Sequence, residues 1–193
     1  MCLLLSRKGG SPELNEAWLK DFFTKNDDGF GFMYALDGKL HVDKSLGKVG
    51  EFIDKWRQME AAGYDFVCHL RMRTHGDISL ENCHPYQVLD GSHGIEMWMA
   101  HNGVLSNGNA ADITKSDTWH FIKDYLRPLL DPAVGGNPDL IYTPQFKAIH
   151  DTIPDRFNEE FNAAFFADRV AEAMAEEFEE AAFDTWKRIM EDA

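Results

Sequence analysis

The sequence predicts an α+β fold with largely antiparallel sheets, and two observations carry it. A two-residue Asp37-Gly38 step separates two strand-like runs in "GFGFMYALDGKLHVDKSLG", the mark of a β-hairpin. Two segments of helical periodicity lie on either side of that hairpin, each with its own start or stop signal. Hairpins mixed with early helices point to layers of antiparallel sheet covered by helix. At 193 residues the chain is long enough to bury a sizeable core in one domain, or in one domain with an extension.

Residues 2–7 read as a short buried strand. "SPELNEAWLKDFFTKN" reads as a helix with Ser11 as N-cap, Pro12 at its first position and Glu13 in its first turn. Leu14, Trp18, Phe22 and Phe23 would form its apolar stripe. After the hairpin, "KVGEFIDKWRQMEAAG" is a second helix closed by Gly63. "YDFVCHLRMRTHG" is a strand running into a loop, and "GIEMWMAHNGVLSNG" a strand ending in a turn. "KSDTWHFIKDYLRPLL" is a helix capped by Ser116 or Asp117. Beyond Pro132, "AVGGNPDL" reads as a linker, "DLIYTPQFKAIH" holds one further strand candidate, and the rest is acidic and strongly helical.

A formal charge of −14 argues against a nucleic-acid surface, because phosphate contacts are made mainly by Lys and Arg. No apolar run has the length needed to cross a bilayer, and the four apolar residues near the start turn basic, the reverse of a secretory signal. Cys2, Cys68 and Cys83 are an odd number, which fits a reducing compartment better than a disulfide framework. A cytoplasmic protein handling small molecules is the expectation.

Cys2 poses the chemical question. It could be a small thiol opening an edge strand. If Met1 is removed, it carries instead both a nucleophilic thiol and a free α-amine able to take the thiol's proton. Four short pieces bear on the choice: "NDDGFGF" at 26–32, "HLRMRTHG" at 69–76 followed by "NCHPY", "HNG" at 101–103 and "SDT" at 116–118. Each alone is weak, since Asn-Gly and Asp-Gly pairs mark ordinary turns. Their order and spacing are more specific. The His and Cys residues among them do not match zinc-finger or H-E-x-x-H spacing, so neither a metal nor any other cofactor is expected.

With Cys2, these pieces resemble the class II glutamine amidotransferases, of the N-terminal-nucleophile hydrolases, over roughly residues 2–125. The resemblance implies a four-layer αββα sandwich with two antiparallel sheets. It implies that Cys2 attacks the side-chain amide of glutamine, releases ammonia and leaves a thioester for water. By the same resemblance Asn102 and Gly103 would form the oxyanion hole. Arg71, with Thr74 and His75, would hold the α-carboxylate of glutamine and Asp117 its α-ammonium. Gly29 and Gly31 would let the hairpin pack close to the nucleophile strand.

The chain departs from the family pattern at Leu3, where Gly is usual after the cysteine, and at Arg73, where a small residue is common. After residue 130 the expected further strands give way to helix. The resulting division is a core over residues 1–132 and, over 133–193, a linker with an acidic helical extension beside it, the second half of the sandwich being trimmed. This looks like a stand-alone or phage-type member that supplies ammonia to a separate synthase. Two other readings stay open: an amidohydrolase of the same superfamily acting on another amide, and a non-catalytic protein that keeps the fold.

Overall fold

The computed structural model describes residues 2–105 and 112–143. Its first sheet contains β1 (Leu3–Arg7), β2 (Phe30–Leu36), β3 (Lys39–Ser45) and β4 (Phe66–Leu70), all antiparallel to their neighbours in the order β1-β4-β2-β3. β2 and β3 form the predicted hairpin. Asp37 and Gly38 both take positive φ, 51° and 73°, as the tight turn that matches strand twist requires. β1 is an edge strand and is only partly buried, not the buried strand expected, because β4 alone covers it.

Alternation on β2 and β4 decides which face is core. Phe30, Phe32, Phe66, Cys68 and Leu70 point to one side and are buried there, with register pairs Phe32↔Cys68 and Phe30↔Leu70. Two helices cover that face: α1 (Glu16–Thr24) through Leu19 and Phe23, and α2 (Val49–Ala62) through Phe52, Ile53, Trp56 and Met59. Phe52 lies at the centre, its ring 5.7 Å from Phe23 and 6.1 Å from Phe32. Such ring pairs add about 0.5–1.5 kcal/mol each beyond the area they bury. α2 ends at Gly63 as predicted.

α1 starts later than its sequence signals imply. Its N-cap is Asn15, whose side chain accepts from the Ala17 N–H at 2.7 Å, and not Ser11. The reason is tertiary. Arg7 Nη2 donates to the carbonyls of Ser11 and Pro12, at 2.9 and 2.7 Å. The Leu14 N–H donates to Glu60 at 3.1 Å, and Arg57 donates to the Leu14 carbonyl at 2.7 Å. Backbone engaged in this way cannot close a helical ladder. The apolar stripe shifts accordingly to Leu19 and Phe23, leaving Trp18 61% exposed. Glu60, itself paired with Arg7 at 2.9 Å, ties β1 to α2 and so fixes the strand that begins beside Cys2.

β5 (Tyr86–Asp90), for which the sequence reading had no strand, pairs with β6 (Glu96–Met99) as a second antiparallel sheet. It packs on a helical segment made of α3 (Asp117–Phe121), one wide turn over Ile122–Leu126 and α4 (Arg127–Leu130). Val88, Leu89, Phe121, Ile122, Leu126 and Leu130 are buried between them. Residues read as linker are partly ordered helical turns: Pro132–Val134 and Pro138–Tyr142 coil back on α4, and Leu140 is buried in the same cluster. Leu140–Tyr142, expected in a strand, thus belong to a turn; the acidic helical segment lies outside the described residues. Among the described residues no helix is long and apolar enough to cross a membrane.

Candidate active site

Because β1 begins at Leu3 opposite Leu70, Cys2 lies where β4 leaves the sheet. Its Sγ donates to the Met72 carbonyl at 3.2 Å and accepts from the Met72 N–H at 3.3 Å. Burial pushes the thiol pKa above its usual value. The Met72 backbone and the Arg71 charge pull it down, and Asp117 opposes them. The thiol at rest is therefore protonated at neutral pH and needs a base to become a nucleophile.

Arg71 is buried, 3% exposed, and braces the loop that follows it. Nη1 donates to the Asp77 carbonyl at 2.7 Å and Nη2 to the His75 carbonyl at 2.9 Å. The "DDG" turn holds the same stretch from the other side. The Arg71 N–H donates to Gly29 O at 2.8 Å, the Asp28 N–H donates to Arg71 O at 3.0 Å, and Asp28 Oδ2 accepts from the Arg73 N–H at 2.6 Å. Thr74 and His75 ride on this loop and are exposed.

The glycines of "DDGFGF" act differently from expectation. β4 separates β2 from the Cys2 strand, so the hairpin does not pack against that strand. A Cβ on Gly31 would meet the His84 carbonyl oxygen at 1.9 Å, and one on Gly29 would meet Cys83 Sγ at 2.5 Å. Their bareness admits the "NCHPY" segment onto the open face of the first sheet.

Asp117 lies in the first turn of α3, whose N-cap is Ser116 accepting from the Trp119 N–H at 3.1 Å. Its Oδ2 accepts from the Leu105 N–H at 2.7 Å and its Oδ1 from the Thr118 N–H at 2.8 Å. It thereby pins the chain just after "HNG". Asn102 is exposed there, and Gly103 has φ 143°, a value natural to glycine. Asn82, which the sequence reading did not single out, couples the two loops. Its Nδ2 donates to Asp77 O at 2.9 Å and Thr114 O at 2.7 Å, while its Oδ1 accepts from the Ser116 N–H at 3.0 Å.

Behind these loops lie His69, His84 and His101, all buried. The His69 and His84 rings are 4.1 Å apart, and His84 meets Tyr86 at 4.7 Å. Burial pushes the His69 pKa down to about 3, helped by neighbouring His101. His84 and His101 are lowered too, chiefly by burial. These histidines are neutral scaffold at pH 7. Cys68 and Cys83 are likewise fully buried small groups.

Of the residues singled out, Arg71 and Asp117 both act electrostatically on the Cys2 thiol. Among the described residues no hydrogen bond joins Thr74, His75, Asn102 or Gly103 to Cys2. Met72, Asp28 and Asn82 are positioning groups that the sequence reading missed. Asp28 had a signal in the "DDG" turn; Met72 acts through its backbone and Asn82 through a packed side chain, and neither carries one.

Comparison with known families gives a match over residues 12–121 to the family described as "Glutamine amidotransferases class-II". Among curated proteins, the glutamine–fructose-6-phosphate aminotransferase [isomerizing] of Sulfolobus acidocaldarius is 29% identical over 126 residues, covering 58% of this chain and 21% of that protein. Its namesake in Sulfurisphaera tokodaii is 30% identical over 133 residues, covering 62% of this chain and 22% of that protein. The chain thus matches about a fifth of the length of these relatives.

Proposed function

The chain belongs to the class II glutamine amidotransferase family, and on that premise we propose that it is a glutaminase whose nucleophile is Cys2. The α-amine freed by loss of Met1 takes the thiol proton, directly or through one water. The thiolate attacks the side-chain carbonyl carbon of glutamine. The tetrahedral oxyanion is met by the Asn102 side chain and the Gly103 N–H, donors that strengthen as charge develops. The C–N bond breaks, the leaving nitrogen is protonated and departs as ammonia, and water then hydrolyses the glutamyl thioester. Arg71 and Asp117 read the two charges of the glutamine backbone, with Thr74 and His75 on the carboxylate side. The relatives' names couple glutamine to an acceptor sugar phosphate, and ammonia here is delivered to a separate synthase. The second antiparallel sheet is the start of the second layer of an αββα sandwich in a cytoplasmic protein.

The observation that carries this reading is the thiol held between the Met72 N–H and carbonyl with the Arg71 and Asp117 charges close by. Its test combines intact mass, to establish loss of Met1, with glutamine hydrolysis and labelling by a glutamine-analogue electrophile, candidate synthases being included in the assay. The expected outcome is one label on the wild type and none on Cys2→Ala, with hydrolysis lost in the variant. Hydrolysis that survives Cys2→Ala refutes the proposal.

One observation favours a second reading, hydrolysis of an amide other than glutamine. Two guanidinium N–H groups of Arg71 are spent on loop carbonyls, and both Asp117 oxygens accept backbone N–H groups. A panel of amides lacking the α-amine or the α-carboxylate separates the two, since a glutaminase rejects them.

A further inference from the structure

The chain carries 33 acidic against 19 basic residues, yet one groove reverses that balance. It opens between β3, the β5–β6 sheet and the α3–α4 segment, with a volume of about 210 Å³. Lys44, Lys123 and Arg127 line it together with Tyr86, Trp98 and Trp119. The carboxylate in its wall, Glu81, is paired with Lys115. Asp124, beside Lys123 at 3.8 Å, and Glu96, which accepts from the Trp98 indole N–H at 2.8 Å, are the other acids nearby. Four cations, Lys115 included, against three carboxylates leave the groove net positive on a chain of −14.

The cations are held by aromatic faces more than by acids. Lys44 Nζ lies 5.1 Å from the centre of the Tyr86 ring. Lys123 and Lys115 lie 5.2 and 5.5 Å from that of Trp119. Arg127 spends Nε and Nη2 on the carbonyls of Val88 and Gln87, which fixes its guanidinium at the rim. Among the described residues no carboxylate lies within ion-pair distance of Lys44 or Arg127. Lys44 is only partly exposed, and a half-buried ammonium without an ion-pair partner is an arrangement that a bound anion relieves.

We infer that this groove binds a small phosphorylated ring compound, with the phosphate on Lys44, Lys123 and Arg127 and the ring against Trp98 and Trp119. Lys and Arg groups on rigid elements suit a phosphate, and aromatic faces suit a base or a sugar ring. The volume lies below the ~300–1,000 Å³ of drug-sized ligand clefts, which limits the ligand to the size of a nucleoside monophosphate or a sugar phosphate. The inference shares no lining residue with the Cys2 site and does not rest on glutaminase activity.

The full-length chain is titrated at low salt with AMP, UMP, glucose 6-phosphate, adenosine and inorganic phosphate, following tryptophan fluorescence and heat of binding. At least one phosphate ester is expected to saturate the signal in the millimolar range or below. It should bind at least about tenfold tighter than inorganic phosphate or adenosine, with affinity falling as salt is raised. AMP and UMP against glucose 6-phosphate distinguish a base from a sugar as the ring. Lys123→Glu, at an exposed position, should weaken binding at least about tenfold, and Lys44→Met likewise, with unchanged circular dichroism. Cys2→Ala should bind as the wild type does. No saturable response to any ester overturns the inference. So does equal binding by Lys123→Glu and Lys44→Met, or inorganic phosphate binding as tightly as every ester.

Discussion

Lowering the pH from 7.5 to 5 should destabilise this fold sharply, and His69 sets the least that is lost. An unfolded histidine titrates near 6.5, whereas burial holds that of folded His69 at about 3. Between those values the unfolded chain binds a proton that the folded one refuses, so stability is full above 6.5 and falls as the pH drops toward 3. At pH 5 the gap is about 1.5 pH units, and at 1.36 kcal/mol per unit that is about 2 kcal/mol. His84 and His101 are shifted in the same direction and add to the loss. Against a total of about 5–15 kcal/mol for a typical domain, this is a large fraction. Carboxylates contribute little above pH 5, where they are ionised in both states. Urea unfolding at pH 7.5, 6 and 5 measures the slope. In His69→Gln the acid-induced loss should shrink by about 2 kcal/mol, whatever the variant costs at pH 7.5. An identical loss in wild type and His69→Gln would refute the reasoning.

Other expectations follow from packing and hydrogen bonding. Phe32→Ala, in the centre of the first core, should cost about 3–5 kcal/mol in urea unfolding. Gly31→Ala places a Cβ at 1.9 Å from the His84 carbonyl oxygen, and should cost about 3 kcal/mol, the upper end for overpacking. Asn82→Ala removes three side-chain hydrogen bonds, to Asp77, Thr114 and Ser116, worth about 1 kcal/mol each, and faster hydrogen exchange at Ser116 should accompany the loss. Arg71→Lys cannot hold both the His75 and Asp77 carbonyls, and should cost about 1–2 kcal/mol while slowing electrophile labelling of Cys2.

Local signals were legible wherever one or two residues decide the geometry. Asp37-Gly38 made the hairpin, Gly63 stopped α2 and Ser116 capped α3, each through its own backbone or side chain. Which face of β2 and β4 is core became plain only once α1 and α2 were seen to cover Phe30, Phe32, Phe66, Cys68 and Leu70. The α1 boundary failed because Ser11–Leu14 is held by Arg7, Arg57 and Glu60, from strands and helices distant in sequence. β5 escaped because its burial comes from packing on the α3–α4 segment, which its own sequence does not encode.

The same division holds at the candidate site. The sequence by itself determined its chemical alphabet: a cysteine next to Met1, an arginine at a strand end, an Asn-Gly turn and an aspartate at a helix start. Order and spacing sufficed for that, because such motifs are local. Only the tertiary structure decided how those groups are occupied. It put the Arg71 guanidinium under its own loop, spent the Asp117 carboxylate on Leu105 and Thr118, and set the Cys2 thiol on the Met72 backbone. It also gathered Lys44, Trp98 and Lys123 from three separate elements into one groove. Hydrogen bonds and burial join residues by distance in space, and no spacing along the chain encodes that distance.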